Sequence, residues 1–214
     1  MAEFPADIFT ETRDIDPDTL ANLGPLRALA GVWEGRKGKD VNPKADGPDR
    51  ADFIERIELQ PIDPQSNGPQ LLYGLRYHAH ILKPGEAATY HDQIGYWLWE
   101  PATGLVMQSL TIPRAQAVLA CGHAAKDATT FKVSARRGST SYGIVSTDFL
   151  EQAFRTESYE IVVTVHPDGT WSYDEVTMLV VKGEPAPFRH TDSNTLAKVA
   201  EPTPNPQMRG SPLA

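Results

Sequence analysis

Hydrophobic and polar residues alternate along most of this chain. The clearest run puts Leu71, Tyr73, Leu75, Tyr77, Ala79 and Ile81 on one face and Arg76, His78 and His80 on the other. That period of two marks a half-buried strand. Phe53, Ile57 and Leu59 share one parity, and further strands read at 90–99, 104–112, 115–121, 129–136 and 158–166. His166, Pro167, Asp168 and Gly169 then supply a short hairpin turn, and a strand follows from Trp171 to Lys182. Before the strands, Asp16, Pro17 and Asp18 read as a helix start, and Leu20, Leu23, Leu26 and Leu29 place one or two short helices against the sheet. Many short strands with almost no central helix predict an all-β fold, an antiparallel barrel or a sandwich. A barrel would also leave no open strand edges.

The two ends differ from the middle. Residues 1–16 are expected to be a flexible segment and 17–199 the β-domain. Residues 200–214, rich in proline and nearly free of large apolar side chains, are expected to be a disordered tail. Composition narrows the function classes. The net charge is −8 with no basic block, which argues against nucleic acid and anionic membrane surfaces. No apolar run reaches the roughly 20 residues of a membrane-spanning helix. The first residues are acidic and do not read as a secretory signal. The single cysteine, Cys121, reads as a small strand residue and fits a reducing cytoplasm.

Two regions carry candidate chemistry. In the first, alternation puts His91, Gln93, Gly95, Trp97 and Trp99 on one strand face. Such a face suits a cavity wall, apolar below and polar at its mouth, and it equally suits an imidazole bonded to a neighbouring strand. In the second, a strand ending near Lys182 is followed by a Gly/Pro loop and by His190, just before a short helix with Asp192 or Ser193 as its N-cap. Arg114, after Ile112 and Pro113, stands at a strand end where its fork of donors meets a carboxylate or solvent. His78 and His80 have the spacing of a metal pair on a strand but lack the third and fourth ligands zinc needs, so a polar outer face is expected there. No phosphate loop, nucleophile elbow or paired-cysteine motif is present.

Three ordered blocks carry a family resemblance: Gly31, Trp33 and Gly35; His91, Gly95 and Tyr96; and Met178, His190, Leu196 and Lys198. Together they resemble the nitrobindins, fatty-acid-binding-protein-like barrels of the calycin group. The resemblance covers roughly residues 20–199. It implies a single up-and-down barrel of about ten strands, with short N-terminal helices and a short C-terminal helix. It implies haem b as cofactor, His190 as the single axial iron ligand and His91 on the opposite side of the pocket. Trp33, Trp97 and Arg114 complete the expected set around the ligand. The activity it implies is binding of nitric oxide and isomerisation of peroxynitrite to nitrate.

The chain departs from the family pattern at Arg36 and Lys37, at Gln93 in place of a glutamate, and at Thr191 and Asp192, where an apolar residue commonly follows the histidine. Asp192 is placed either to bond the imidazole as a supporting partner or to hold it away from the cavity. The alternative to haem is a fatty acid or another lipophile, anchored by His91, Arg114 and Arg76. The expected partner is thus haem or a small hydrophobic molecule, with no nucleic acid and no membrane insertion. A homodimer is left open.

Overall fold

The computed structural model describes residues 7–210. Its ten long strands follow one another antiparallel around a closed barrel. They are β1 (Gly31–Lys44), β2 (Gly47–Pro61), β4 (Gln70–Leu82), β5 (Thr89–Glu100), β6 (Leu105–Ile112), β7 (Gln116–His123), β8 (Thr130–Arg136), β10 (Phe154–Val165), β11 (Trp171–Val181) and β12 (Phe188–Ala200). Two short strands join the sheet from outside this circuit: β3 (Gln65–Asn67), which pairs with β4, and β9 (Ile144–Val145), which pairs with β7. The barrel closes because β1 pairs with both β2 and β12, and β2 reaches across β3 to pair with β4. No helix among the described residues is long and apolar enough to cross a membrane.

One end is plugged. Helix α1 (Thr19–Asn22), capped by the Asp18 side chain, leads into a 3-10 helix at Gly24–Leu29. Leu23, Leu26 and Leu29 of this segment are fully buried. Trp33 donates from Nε1 to the Leu29 carbonyl at 2.8 Å and meets Trp171 edge to face at 6.0 Å, so the tryptophan ties plug to barrel. The glycines flanking it have a packing reason. A Cβ at Gly38 would stand 2.2 Å from the Phe53 ring, and one at Gly35 would stand 2.4 Å from Asn194 Nδ2. Between these two glycines the β1–β2 register slips by a bulge, so the inward face of β1 passes from Trp33 and Gly35 to Gly38 and Asp40.

Two local expectations are corrected. The segment after His190 is no helix: residues 188–200 form the closing strand, whose inward Asn194 and Leu196 are buried. Without that strand β1 and β11 would each present an open edge, and the paired ladder outweighs the local N-cap signal of Asp192. A 3-10 turn at Pro206–Arg209 is the C-terminal helical element. The tail, over its described part, is held against the barrel rather than free. Thr203 N donates to Gln60 Oε1 at 2.8 Å, and buried Asn205 donates to Asp63 Oδ1 at 2.7 Å and to the Pro17 carbonyl at 3.0 Å. At the other terminus Thr12 N bonds the Gly68 carbonyl at 3.3 Å. The flexibility expected of residues 1–6 and 211–214 lies outside the described residues.

Candidate functional site

The end opposite the plug is the mouth, and its polar lining comes from strand alternation. On β12 the inward parity of Leu196 and Asn194 carries Asp192 and His190 towards the lumen. Register then sets Asp192 opposite Asp40 of β1 on one side and Glu175 of β11 on the other. Three acidic side chains thus lie in a row on adjacent strands, an arrangement that repels itself unless protonated or compensated.

His190 is the compensating group. Its Nε2 stands 3.0 Å from Asp40 Oδ1 and 3.1 Å from Asp192 Oδ2. Burial alone would favour the neutral ring, but hydrogen bonds and charge from Asp192 and Asp40 outweigh it and hold the imidazolium up to about 10. Asp40 is almost fully buried; its Oδ2 accepts from Asn42 Nδ2 at 2.6 Å and from the Tyr90 hydroxyl. Burial would raise its pKa, and these donors together with His190 bring it below the usual carboxylate value. Nδ1 of His190 makes no hydrogen bond among the described residues.

His91 faces the same mouth from β5. It is half-buried, with Nε2 3.3 Å from Gln93 Oε1, and burial lowers its pKa and favours the neutral ring. His190 and Arg114 lower that pKa further, and strand direction puts His190 near the start of β12, His91 near the start of β5 and Arg114 in the β6–β7 turn at the same end of the barrel. Below them runs a polar layer. Gln93 Nε2 and Gln108 Nε2 both donate to the Tyr77 hydroxyl, at 2.7 and 3.3 Å. The Tyr159 hydroxyl lies 2.8 Å from Gln108 Oε1 and 3.0 Å from Glu175 Oε2. Beside this chain, Glu55 Oε2 accepts from Tyr173 at 2.9 Å and from Asn194 at 3.1 Å. Burial raises Glu55 to about 7 and Glu175 to about 8, so both favour the neutral acid more than an exposed glutamate does.

A raised carboxyl pKa has a defined sign. The native state keeps a proton on Glu55 that the unfolded chain gives up near 4.5, so stability is lost as pH rises from there to about 7. Glu175 acts in the same direction. Glu55→Gln removes the first contribution. The stability of wild type relative to this variant is expected to fall by on the order of 3 kcal/mol between pH 4.5 and 8. Urea unfolding at both pH values reads it, and a pH-independent difference would contradict a neutral buried Glu55.

Of the sequence-expected site residues, the structure brings together His190, His91 and the exposed Arg114 of the β6–β7 turn. Trp33 and Trp97 stand deeper. Lys198, the β12 residue opposite Trp33, is roughly 26 Å along the strand from His190 at about 3.3 Å per residue. Trp97 is a buried lumen residue packed edge to face on Phe131 at 5.9 Å. His78 and His80 lie on the outer wall with separate partners, Asp92 at 2.9 Å and Thr89 at 3.0 Å. Asp40, Tyr90, Glu55 and Glu175 are site residues that the sequence did not single out. Glu175 shares the parity of Trp171 and Tyr173, a usable signal, whereas the β1 bulge hides Asp40 from any alternation count.

As a donor set, Asp40, His190 and Asp192 keep their ligand atoms within 4.8 Å of one another, close enough to share a divalent ion. A carboxylate-held imidazole is equally the usual support of a histidine that binds metal through its other nitrogen. The sequence matches the family model of the THAP4-like, heme-binding β-barrel domain over residues 22–198. The chain belongs to this family. The match agrees with the nitrobindin-like resemblance and with the closed barrel. Among solved structures, the crystal structure of Rv2717c from M. tuberculosis is similar in fold, with a TM-score of 0.60 at 19% identity, over 86% of this chain and 99% of that one. Comparison with curated protein sequences gave no significant match.

Proposed function

We propose that this member of the haem-binding barrel family takes ferric haem at the mouth, with His190 as the single axial ligand and His91 on the other side of the bound group. One observation carries the reading. Two histidines 99 positions apart in the chain stand at one end of the barrel, one with its Nε2 anchored by carboxylates and the other half-buried, where burial favours the neutral ring. The donor chemistry fits the group. With Nε2 committed to Asp40 and Asp192, Nδ1 is the nitrogen left for iron, and binding there would release the proton that Nδ1 carries in the imidazolium.

When bound, ferric haem supplies a Lewis-acidic iron for nitric oxide or for isomerisation of peroxynitrite to nitrate. The chain's own residues bind and orient around it. Asp40 and Asp192 fix the His190 ring, and Gln93 holds His91, whose neutral imidazole offers polarity without competing charge. The Tyr77, Gln108 and Tyr159 chain fixes the polar layer beneath. Arg114 at the rim is placed for an anionic substituent.

The test is a titration of purified protein with ferric haem. The reading expects a Soret band that saturates at one haem per chain. Absence of that band would overturn it. A fatty acid retained in native mass spectra without a Soret band would favour the lipophile carrier. Saturable Mn2+ or Zn2+ binding without the band would favour a divalent ion held by Asp40, His190 and Asp192.

A further inference from the structure

We propose that Asp40 and Asp192 are positioning residues that set the oxidation-state preference of the haem iron through His190; this rests on the haem reading above. A histidine that donates Nε2–H to a carboxylate places more electron density on its other nitrogen, and a metal bound there is stabilised in its higher oxidation state. Most supporting partners of this kind are single. Here two carboxylates converge on one ring nitrogen, at 3.0 and 3.1 Å.

The two carboxylates are built differently. Asp40 is held from behind by Asn42 and Tyr90, which fix its Oδ2 and leave Oδ1 for the imidazole. Its backbone position follows from the bulge between Gly35 and Gly38 that turns it inward. Asp192 lies two residues beyond His190 on the same inward face of β12, with its side chain 24% exposed. One anchor is therefore buried and held by two further donors, the other partly exposed and bonded to His190. Thr191, between His190 and Asp192 in the chain, pairs with Val41 and Val176 in the ladder, which holds the backbone of both neighbours in register with β1 and β11.

Asp192→Asn and Asp40→Asn test this on the haem-loaded full chain. The readouts are the ferric/ferrous midpoint potential and the iron–histidine stretching frequency in resonance Raman spectra of the ferrous form. Asp52→Asn is the control. It removes one negative charge from an exposed outer-wall pair with Lys39 and should move neither readout. Both mouth variants are expected to raise the midpoint and lower the stretching frequency, with haem affinity falling roughly ten- to a hundredfold.

Asp40→Asn also disturbs Tyr90 and Asn42. Asp192→Asn has His190 as its one close side-chain partner here and keeps the test alive if the other variant fails to fold. A Soret band with both readouts unchanged in Asp192→Asn would overturn the anchoring role and leave the haem reading standing. A wild-type protein with no Soret band would overturn both.

Discussion

His190→Ala is expected to abolish the saturable Soret band that wild type develops with ferric haem. Removing the axial nitrogen takes away the iron–protein bond itself, so the loss should exceed the ten- to hundredfold that removal of a supporting partner costs. The same change strips Asp40 and Asp192 of their cation. Breaking a buried pair costs roughly 3–5 kcal/mol when one charge is left alone. The cost should be smaller here, because His190 is 26% exposed and Asp40 keeps its Tyr90 and Asn42 donors. Circular dichroism and urea unfolding separate the two effects. His190→Gln is the companion variant: its amide can still donate to Asp40, so it should unfold closer to wild type, yet it lacks the imidazole. A folded His190→Gln protein with a wild-type Soret band would exclude His190 as the ligand.

The largest expected effect on stability lies at the other end of the barrel. Trp33→Ala should cost about 3–5 kcal/mol, the usual range for deleting a buried aromatic side chain. Trp33 is 1% exposed, packs on Trp171 and carries the hydrogen bond to the Leu29 carbonyl. Its loss opens a cavity under the plug and leaves that carbonyl without its donor. For a chain of this size the melting temperature should drop by about 6–20 °C. Trp33→Phe keeps most of the packing and removes only the N–H donor, so about 1–2 kcal/mol is expected. Calorimetry or urea unfolding reads both. A Trp33→Ala protein within 1 kcal/mol of wild type would show that the plug does not depend on this ring.

How much of this was legible beforehand differs between fold and site. Alternation such as Leu71 to Ile81 is a local signal, and it placed the strands because the two faces of a barrel wall differ in solvent as strongly as its sequence alternates. The strand after His190 was misread for the converse reason. Phe188 to Ala200 carries polar residues on its inward face, among them His190, Asp192 and Asn194, so a strand lining a polar mouth looks like a capped turn. The tail was misread because its contacts are made by polar atoms, Thr203 and Asn205, rather than by apolar side chains.

At the site, His190 and His91 stood out as rare residue types at motif positions. Asp40 did not, since its inward turn depends on a bulge that no alternation count contains. The Glu55, Tyr173 and Asn194 cluster draws on three strands, with more than 100 residues between Glu55 and its partners, and only closure of β1 on β12 brings it together. Trp33 and its flanking glycines stand out in the sequence as the first block of the family resemblance. The structure adds that its glycines make room for Phe53 and Asn194 inside the lumen.

The central claim is that the imidazole of residue 190 binds the haem iron, and chemical rescue tests it most directly. His190→Gly, loaded with ferric haem in buffer, should show no saturable Soret band. Added imidazole should restore the band to near the wild-type position, because the free ligand occupies the space left between iron, Asp40 and Asp192. A wild-type band in His190→Gly without imidazole would contradict the claim.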